Sequence, residues 1–210
     1  MYVAFVAGGI ASGKSSFARR LQARGARRID LDQLSREVLA PGSDCLKAVA
    51  REFGGDLLDP VTGELDRALL AQRAFATAGD TARLEAIELP HIGLALMRRL
   101  SSLSRLSDAP SCVVVEVPLL DRFQSYVHLA DEVVAIACPL EERRRRAIGR
   151  GMDGADFDAR AARQPSDEYL GSHCDTLVDN RGGADELMAR ADAWWESHQA
   201  NGWRPARKAE

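Results

Sequence analysis

A short stretch near the start of the chain has the residue types and spacing of a phosphate-binding loop. It reads Gly8-Gly9-Ile10-Ala11-Ser12-Gly13-Lys14-Ser15 and fits the pattern G-x-x-x-x-G-K-[ST]. Glycines let backbone N–H groups approach phosphate oxygens closely, and a helix that begins after Gly13 points its positive end at the same anion. Lys14 can reach the β- and γ-phosphates of a nucleoside triphosphate, and the Ser15 hydroxyl can ligate Mg²⁺. Residues 8–16 are therefore predicted to bind ATP.

The elements on both sides of this loop are those that a P-loop needs. The apolar run Tyr2–Ala7 predicts a buried strand before it, and an amphipathic helix is predicted over Lys14–Arg24 after it. A glycine-rich turn that binds nothing is the alternative. Against it, only three of the 28 basic residues are lysines, and Lys14 is one of them. A dinucleotide-binding loop does not fit, because Ile10 stands where its second glycine belongs.

Composition and charge limit the remaining classes. With 210 residues, 46% of them hydrophobic and 28% charged, the chain can bury a core as a single domain, 1–210. A net charge of −3 gives no overall field that favours nucleic acid. The four cysteines form no C-x-x-C pair, which favours reduced thiols in a cytoplasmic protein. No apolar run reaches membrane length. We expect neither nucleic acid nor membrane as a partner, and a monomer or weak homo-oligomer.

Acidic side chains lie at the ends of two predicted strands. Asp30 ends a short strand predicted over Arg27–Asp30, Asp32 follows it, and Glu116 lies near the end of the β-branched run Cys112–Val117. Ligands of open parallel sheets bind at the carboxyl ends of strands, so we expect these acids near the phosphates. Asp32 is interpreted as a base for an incoming hydroxyl or as a Mg²⁺ contact, with a helix N-cap as the alternative. Glu116 is interpreted as a Mg²⁺-shell acid, with pairing to an arginine as the alternative.

The middle of the chain, about 42–110, does not alternate strands with helices. The spacing of its apolar residues predicts helices over Asp44–Phe53, Asp66–Ala76, Thr81–Leu89 and Ile92–Leu106. Pro90 is expected to break or kink the pattern. We interpret this region as a helical insertion that covers a substrate.

An arginine-rich segment, about 143–165, follows the last long apolar run. Arg146 and Arg150 are i,i+4 neighbours on one predicted helix face, and three glycines after Ile148 supply a hinge. Such a segment can close over a triphosphate as a lid and stabilise charge in the transition state. A solvated helix face is the alternative for two or three of the arginines at 143–146. RNA binding is a further alternative, disfavoured because no aromatic residues are interleaved.

These features predict a P-loop NTPase fold of class α/β. We expect a three-layer α/β/α domain with a parallel sheet, a helical substrate-binding insertion, an arginine-rich lid and a loose polar tail over 201–210. A guanine-specific GTPase is excluded, since lysine occurs only at positions 14, 47 and 208 and no N-K-x-D element exists. What remains is a small-molecule kinase of the nucleoside-monophosphate-kinase type.

In its motifs the chain resembles the dephospho-CoA kinase family, from the first strand to about Gly183. The shared motifs are Gly8-Gly9-Ile10 with Ser12-Gly13-Lys14-Ser15, Asp30-Leu31-Asp32 with Ser35-Arg36-Glu37-Val38, Phe53-Gly54, Gly63-Glu64-Leu65-Asp66-Arg67, Leu84-Glu85-Ala86-Ile87, Val117-Pro118-Leu119-Leu120, Arg146 with Arg150, Arg160 with Gln164, and Val178-Asp179-Asn180. Each is weak alone, but their order and spacing match this family.

The resemblance implies transfer of the ATP γ-phosphoryl group to the ribose 3′-hydroxyl of dephospho-CoA, which yields CoA and ADP with Mg²⁺ as cofactor. The implied catalytic residues are Lys14, Asp32, Arg146 and Arg150. Asp32 would orient or deprotonate the hydroxyl. Dephospho-CoA would be bound by Asp32, Arg67, Pro118 and Leu119. ATP would contact residues 8–16 and, at its adenine, the loop after Asn180, and Mg²⁺ would contact Ser15 and Glu116.

The chain departs from the family pattern at several positions. Ala7 replaces a usual Thr, Ala11 a usual Gly, Leu89 a usual His, and Asp121-Arg122 a usual Phe-Glu, while Arg150 is followed by Gly in place of Asp. We expect Ala11 to keep a negative φ, since a side chain is tolerated there only in that case. These departures lie mainly on the acceptor side and in the lid, so a related kinase for another nucleoside or small alcohol stays an alternative. A non-catalytic ATP-binding module is a further alternative, disfavoured because Lys14, Asp32 and Arg150 are all present.

Overall fold

The computed structural model describes residues 1–204, and the last six residues of the predicted tail lie outside that range. Within the described residues the chain forms five strands, β1 Tyr2–Ala7, β2 Arg27–Asp30, β3 Cys112–Glu116, β4 Glu132–Ala137 and β5 Thr176–Asp179. It also forms nine α-helices, α1 Lys14–Ala23, α2 Leu31–Val38, α3 Asp44–Phe53, α4 Arg67–Ala74, α5 Ala78–Ser104, α6 Leu140–Ile148, α7 Gly154–Ala161, α8 Asp167–Ser172 and α9 Ala184–Ala200. The chain divides into two compact units: Met1–Asp30 joined with the chain from Leu103 onward, and Leu31–Ser102.

A parallel sheet forms the centre of the first unit. Its strand order is β2-β3-β1-β4-β5, and all neighbours are parallel. Each residue of β1 is apolar and buried, as a central strand requires. The register pairs Val6 with Glu116 and Asp30 with Glu116 on the other side. The loop that follows β1 therefore lies at the same edge as the acids that end β2 and β3, which confirms the predicted α/β parallel fold.

One face of this sheet is covered by α1 and α9. Phe17, Ala18 and Leu21 of α1 lie in one buried cluster with Leu187 and Ala191 of α9 and residues of β1. Trp194 and Trp195 belong to the same buried cluster. Trp203 packs on Trp195 with ring centroids 4.8 Å apart, so this part of the predicted tail contacts the core.

A buried carboxylate fixes α9 to the amino-terminal edge of the sheet. Glu132, at the start of β4, is 1% exposed. It accepts hydrogen bonds from the Tyr2 hydroxyl at 2.7 Å and Trp194 Nε1 at 3.3 Å, and His198 Nε2 lies 2.9 Å away. Burial and the adjacent Glu132 raise the pKa of Tyr2 well above its usual range. The cluster lies opposite the phosphate-binding edge and is structural.

The second unit is helical, with its own apolar core. Leu46, Val49, Leu57 and Leu70 are among the buried residues of that core. Helix α3 begins after Ser43, whose Oγ accepts a hydrogen bond from Leu46 N at 3.1 Å, and Asp66 caps α4 in the same way.

The expected break at Pro90 is wrong. One helix, α5, runs from Ala78 to Ser104 through that proline. A proline removes one backbone hydrogen bond from a helix. Buried apolar residues on both sides, Leu84 before it and Ile92 and Leu96 after it, hold the two halves in place.

Candidate active site

The P-loop places its lysine and serine at the carboxyl edge of the sheet. Gly13 adopts φ 107° just before α1 begins at Lys14. Lys14 Nζ donates to the carbonyl oxygens of Gly8 at 2.6 Å and Gly9 at 3.0 Å. Ser15 Oγ donates to Glu116 Oε2 at 2.6 Å. The ammonium is thus held over the loop, and the hydroxyl is held against the acid that ends β3.

Ala11 does not have the negative φ that we expected. Its φ is 58°, in the left-handed region that favours glycine. The loop forces this conformation because Ser12 N donates back to the Gly9 carbonyl at 3.1 Å, which closes a tight turn around Ala11. The alanine is accommodated at a strained backbone position of the predicted ATP site.

Side chains from α6 and the segment before α8 support the first turn of the loop. Arg143 is 8% exposed and bonds Asp167 at 3.1 Å. A Cβ on Gly9 would lie 2.7 Å from Arg143 Cζ, so only glycine allows this approach. Gln164 Oε1 accepts a hydrogen bond from Ile10 N at 2.5 Å. Sequence reasoning missed both roles: Arg143 was one arginine of a run, and Gln164 was only part of a motif.

Asn180 supports the end of the loop from β5. It is buried, and its Nδ2 donates to the Ser12 carbonyl at 2.6 Å. Leu187 Cδ2 would lie 2.8 Å from a Cβ on Gly13, so the loop is in close contact with α9 as well. The structure therefore places Asn180 against the P-loop, and its contact with the nucleotide stays a prediction.

A small cavity of about 80 Å³ lies against the P-loop. It is lined by residues 11–16, Arg19 and Arg150. Ser12 is among the lining residues, and its Oγ is buried with no hydrogen-bond partner within residues 1–204. The lysine and the two arginines around this space fit an anionic ligand.

A larger cavity of about 850 Å³ adjoins the small one through shared residues, among them Gly13, Ser16 and Arg150. Its wall includes residues 180–184 and the apolar Leu187 and Met188 of α9. Arg146 fixes this wall: its Nη2 donates to the carbonyls of Asn180 at 3.1 Å and Gly182 at 2.9 Å.

Glu116 pairs with an arginine, as the alternative interpretation expects, and its role at Mg²⁺ stays a prediction. It is 4% exposed and accepts from Ser15, and it also forms a short ion pair with Arg28 Nε. Arg28 Nη2 in turn lies 3.2 Å from Asp30 Oδ2. The hydroxyl and carboxylate oxygens of Ser15 and Glu116 fit a hard cation such as Mg²⁺, which takes few protein ligands when phosphates supply others.

The arginine-rich segment is more regular than predicted. Its middle forms α7, capped by Asp153, whose Oδ1 accepts from Ala155 N at 2.8 Å. Of the three glycines placed in a hinge, Gly154 is helical and Gly151 alone has a positive φ, 88°. Arg144 and Arg145 form ion pairs with Asp158 and Glu142 and are exposed, as the solvated-face alternative expects.

In the helical unit, a carboxyl group that sequence reasoning missed adjoins two residues of the predicted motifs. Glu88 of α5 accepts a hydrogen bond from Ser35, and Arg67 acts on it electrostatically. Burial raises the pKa of Glu88 to about 7, although Ser35 and Arg67 oppose the shift. Asp32 lies three residues before Ser35 on α2, on the same helix face. The one sign of this carboxyl group in the sequence is that a charged residue, Glu88, stands directly before Leu89-Pro90 in a helix of apolar spacing.

Comparisons with known proteins place this geometry in a family. The family profile described as dephospho-CoA kinase matches residues 2–186. A dephospho-CoA kinase of Anaeromyxobacter dehalogenans is 38% identical over 91% of this chain and 90% of its own length. The chain belongs to the dephospho-CoA kinase family. It is accordingly a transferase of the kind that phosphorylates dephospho-CoA with ATP in coenzyme A biosynthesis.

Solved structures support the same fold. A Thermus thermophilus protein superposes with a TM-score of 0.75 at 28% identity, over 93% of this chain and 97% of the other. Dephospho-CoA kinase from Campylobacter jejuni superposes with a TM-score of 0.69 at 22% identity, over 95% of this chain and 98% of the other, which bears on the fold alone. None of the helices within residues 1–204 combines the length and apolarity that crossing a bilayer requires.

The departure from the dephospho-CoA kinase pattern after Pro118 and Leu119 has a structural consequence. Both residues follow β3 at the carboxyl edge and are partly buried. Asp121 bonds Arg122 Nε at 2.9 Å through Oδ2, while its Oδ1 is buried with no hydrogen-bond partner within residues 1–204. An unsatisfied carboxylate oxygen here leaves a hydrogen-bond acceptor beside the predicted acceptor-binding residues.

Proposed function

We propose that this chain transfers the γ-phosphoryl group of ATP to the ribose 3′-hydroxyl of dephospho-CoA, with the triphosphate bound in the cavity against the P-loop. The observation that carries the proposal is the lining of that cavity: the P-loop residues 11–16, Lys14 among them, together with Arg150. A run of backbone amides, an ammonium and a guanidinium around one small space suits a phosphate chain.

Lys14 would exchange its ligands when ATP binds. Its Nζ now donates to two loop carbonyls, Gly8 and Gly9. Phosphate oxygens carry more negative charge than carbonyls and would draw the same ammonium toward the β- and γ-phosphates. Arg150 would add a second cation from the lid side as charge shifts in the transition state. Arg146 would act by holding the loop at Asn180 and Gly182.

Ser15 and Glu116 would hold Mg²⁺ together with phosphate oxygens. The bound ion would neutralise charge on the β- and γ-phosphates during transfer. Arg28 Nε pairs with the other carboxylate oxygen of Glu116, so it would orient the acid for this role.

The larger cavity would take the adenosine moiety. Leu187 and Met188 provide an apolar surface for the base, and residues 180–183 provide backbone groups beside it. On the acceptor side, we propose that Asp32 orients or deprotonates the 3′-hydroxyl and that Arg67, Pro118 and Leu119 bind dephospho-CoA. The four cysteines, all free thiols, support a reducing cytoplasmic compartment. We also propose a monomer or weak homo-oligomer that binds no nucleic acid, in keeping with the net charge of −3.

ADP formation with dephospho-CoA, beside the same assay with CoA, tests the acceptor. CoA already carries the 3′-phosphate, so we expect ADP with dephospho-CoA alone. Equal ADP release with both, or with neither, would contradict the proposal and favour another hydroxyl acceptor.

Asp32→Asn tests the base. We expect kcat to fall by about a hundred- to ten-thousand-fold, because proton transfer from the hydroxyl loses its acceptor. ATP affinity should not change. Asp44→Asn is the matched control, since Asp44 occupies the first turn of α3 as Asp32 does in α2. Equal rates for the two variants would remove Asp32 from the mechanism.

A further inference from the structure

The arginines of the larger cavity differ in whether an acid neutralises them. Six line it: Arg19, Arg20, Arg145, Arg146, Arg150 and Arg181. Four of these are bound to carboxylates of the chain. Arg20 bonds Asp192 at 2.6 Å, Arg145 and Arg146 bond Glu142 at 2.6 and 2.8 Å, and Arg181 bonds Asp179 at 2.8 Å.

The two remaining guanidinium groups, those of Arg19 and Arg150, have no hydrogen-bond or ion-pair partner among residues 1–204. The same two arginines line the small cavity against the P-loop, and of the six they alone do so. Arg150 belongs to a motif that sequence reasoning had already assigned to the nucleotide. Arg19 does not, and nothing in the P-loop pattern requires a basic residue there.

The position of Arg19 fits a ligand contact. Helix α1 begins at Lys14, and Arg19 lies four residues after Ser15, so both side chains emerge on the same helix face. The neighbouring Arg20 points instead to Asp192 on α9. Because Arg19 lines both cavities, it stands where the small space joins the larger one. In ATP, the α-phosphate is the group that joins the adenosine to the β- and γ-phosphates.

We propose that Arg19 is a nucleotide-binding residue that contacts the α-phosphate of ATP, opposite Arg150. The inference rests on the proposed binding of ATP at the P-loop and adds a contact to it. A guanidinium that no carboxylate neutralises keeps its full charge and its planar set of donors for a phosphate. A phosphate that enters the junction would therefore meet two cations that the protein itself leaves unpaired.

Calorimetric titration of Arg19→Gln with ATP, ADP and adenosine, without dephospho-CoA, tests the proposal. We expect a loss of roughly tenfold or more in affinity for ATP and for ADP, since a charge-assisted hydrogen bond contributes about 1.5–3 kcal/mol. The affinity for adenosine should stay unchanged. Arg19→Lys should recover part of the loss, because it restores the charge without the planar fork.

Arg27→Gln is the matched control. Arg27 is exposed, has no partner among residues 1–204, and begins β2 at the opposite edge of the sheet. The Arg27→Gln variant removes the same charge from the same unit as Arg19→Gln does. An equal loss of affinity in the two variants would overturn the proposal. A loss of affinity for ATP but not for ADP would also overturn it, because it indicates a γ-phosphate contact. An equal loss of affinity for adenosine would overturn it as well. Wild-type protein that binds ATP but makes no ADP with dephospho-CoA would contradict the acceptor and leave the Arg19 test valid. Absence of ATP binding would contradict both.

Discussion

The two compact units prepare for their ligands by different means. In the first unit, the candidate phosphate site is built from backbone groups, one lysine and arginines. Several of these charged groups are already held by hydrogen bonds: Lys14 donates to two loop carbonyls, and Arg146 donates to carbonyls of the loop at 180–182. In the helical unit, Glu88 lies beside Ser35 and under the charge of Arg67, a candidate acceptor residue, and burial raises its pKa to about 7. Lysine and arginine keep their charge across neutral pH, whereas Glu88 changes its charge there. The protein groups that bind the nucleotide should therefore keep their charge between pH 6 and 8. The charge of Glu88 in the helical unit should change over the same range.

Among the variants that test the difference between the two units, Lys14→Ala should have the largest effect, because it removes the lysine of the nucleotide site. We expect turnover to fall by about a hundred- to a thousand-fold, because a preorganised cation at the transferring phosphate is lost. The melting temperature should change little, since Lys14 is only partly buried and its Nζ donates to carbonyls of the loop itself. Steady-state kinetics and a thermal melt check both parts.

Lys47→Ala is the control for that variant. Lys47 is exposed and pairs only with Asp44, one turn away. We expect wild-type turnover. Global unfolding of Lys14→Ala would instead assign the lysine to the stability of the fold and not to ligand binding.

The sequence predicts the first unit better than the second for a physical reason. A P-loop is specified by local rules: an apolar strand, glycines, and a helix start. Tyr2–Ala7 and Arg27–Asp30 therefore have the bounds that we predicted. In the second unit Asp44–Phe53 has them too, because Ser43 caps that helix locally. The cluster at Glu88 forms between residues of three helices, and no local pattern records which side chains meet across them.

Two errors show where local rules are overridden. Pro90 disfavours a helix, but burial of Leu84, Ile92 and Leu96 around it outweighs one lost backbone hydrogen bond. Ala11 disfavours a positive φ, but the hydrogen bonds of the loop impose one. Arg143 could not be told from its neighbours because its burial against Gly9 depends on the packing of α6. Tertiary contacts decide the cases of Pro90 and Arg143, and the local turn of the loop decides that of Ala11.

Glu88→Gln sharpens the electrostatic side of the comparison. Burial raises the pKa of Glu88 from 4.5 to about 7, so between these values the folded chain binds more protons than the unfolded chain. The linkage relation then makes the free energy of unfolding fall as pH rises through this window. We expect Glu88→Gln to be more stable than wild type by about 1–3 kcal/mol at pH 8, with the gap closing toward pH 4.5. Urea unfolding at several pH values measures it.

The exposed carboxyl of Glu64 in the same unit provides the control. Glu64→Gln should follow the wild-type pH dependence, since glutamine there replaces a solvated group. A gap for Glu88→Gln that is the same at pH 5 and pH 8 would mean that packing or the Ser35 hydrogen bond sets the effect. The helical unit would then not be the pH-sensitive one.

The smallest effect, and the one that returns to the backbone of the nucleotide site, is expected for Ala11→Gly. An alanine at φ 58° destabilises the folded chain by about 1–2 kcal/mol, and replacement by glycine relieves this strain. Part of the gain in stability is offset, because glycine has more conformational freedom in the unfolded chain. We expect a net stabilisation of about 0.5–1 kcal/mol by denaturant unfolding. Ala82→Gly, on the exposed face of α5, should instead destabilise by about 1 kcal/mol. Opposite signs for the two alanines would show that the loop holds strained backbone at the phosphate site, whereas destabilisation by both would mean that the bonds of the loop make the left-handed position cost nothing.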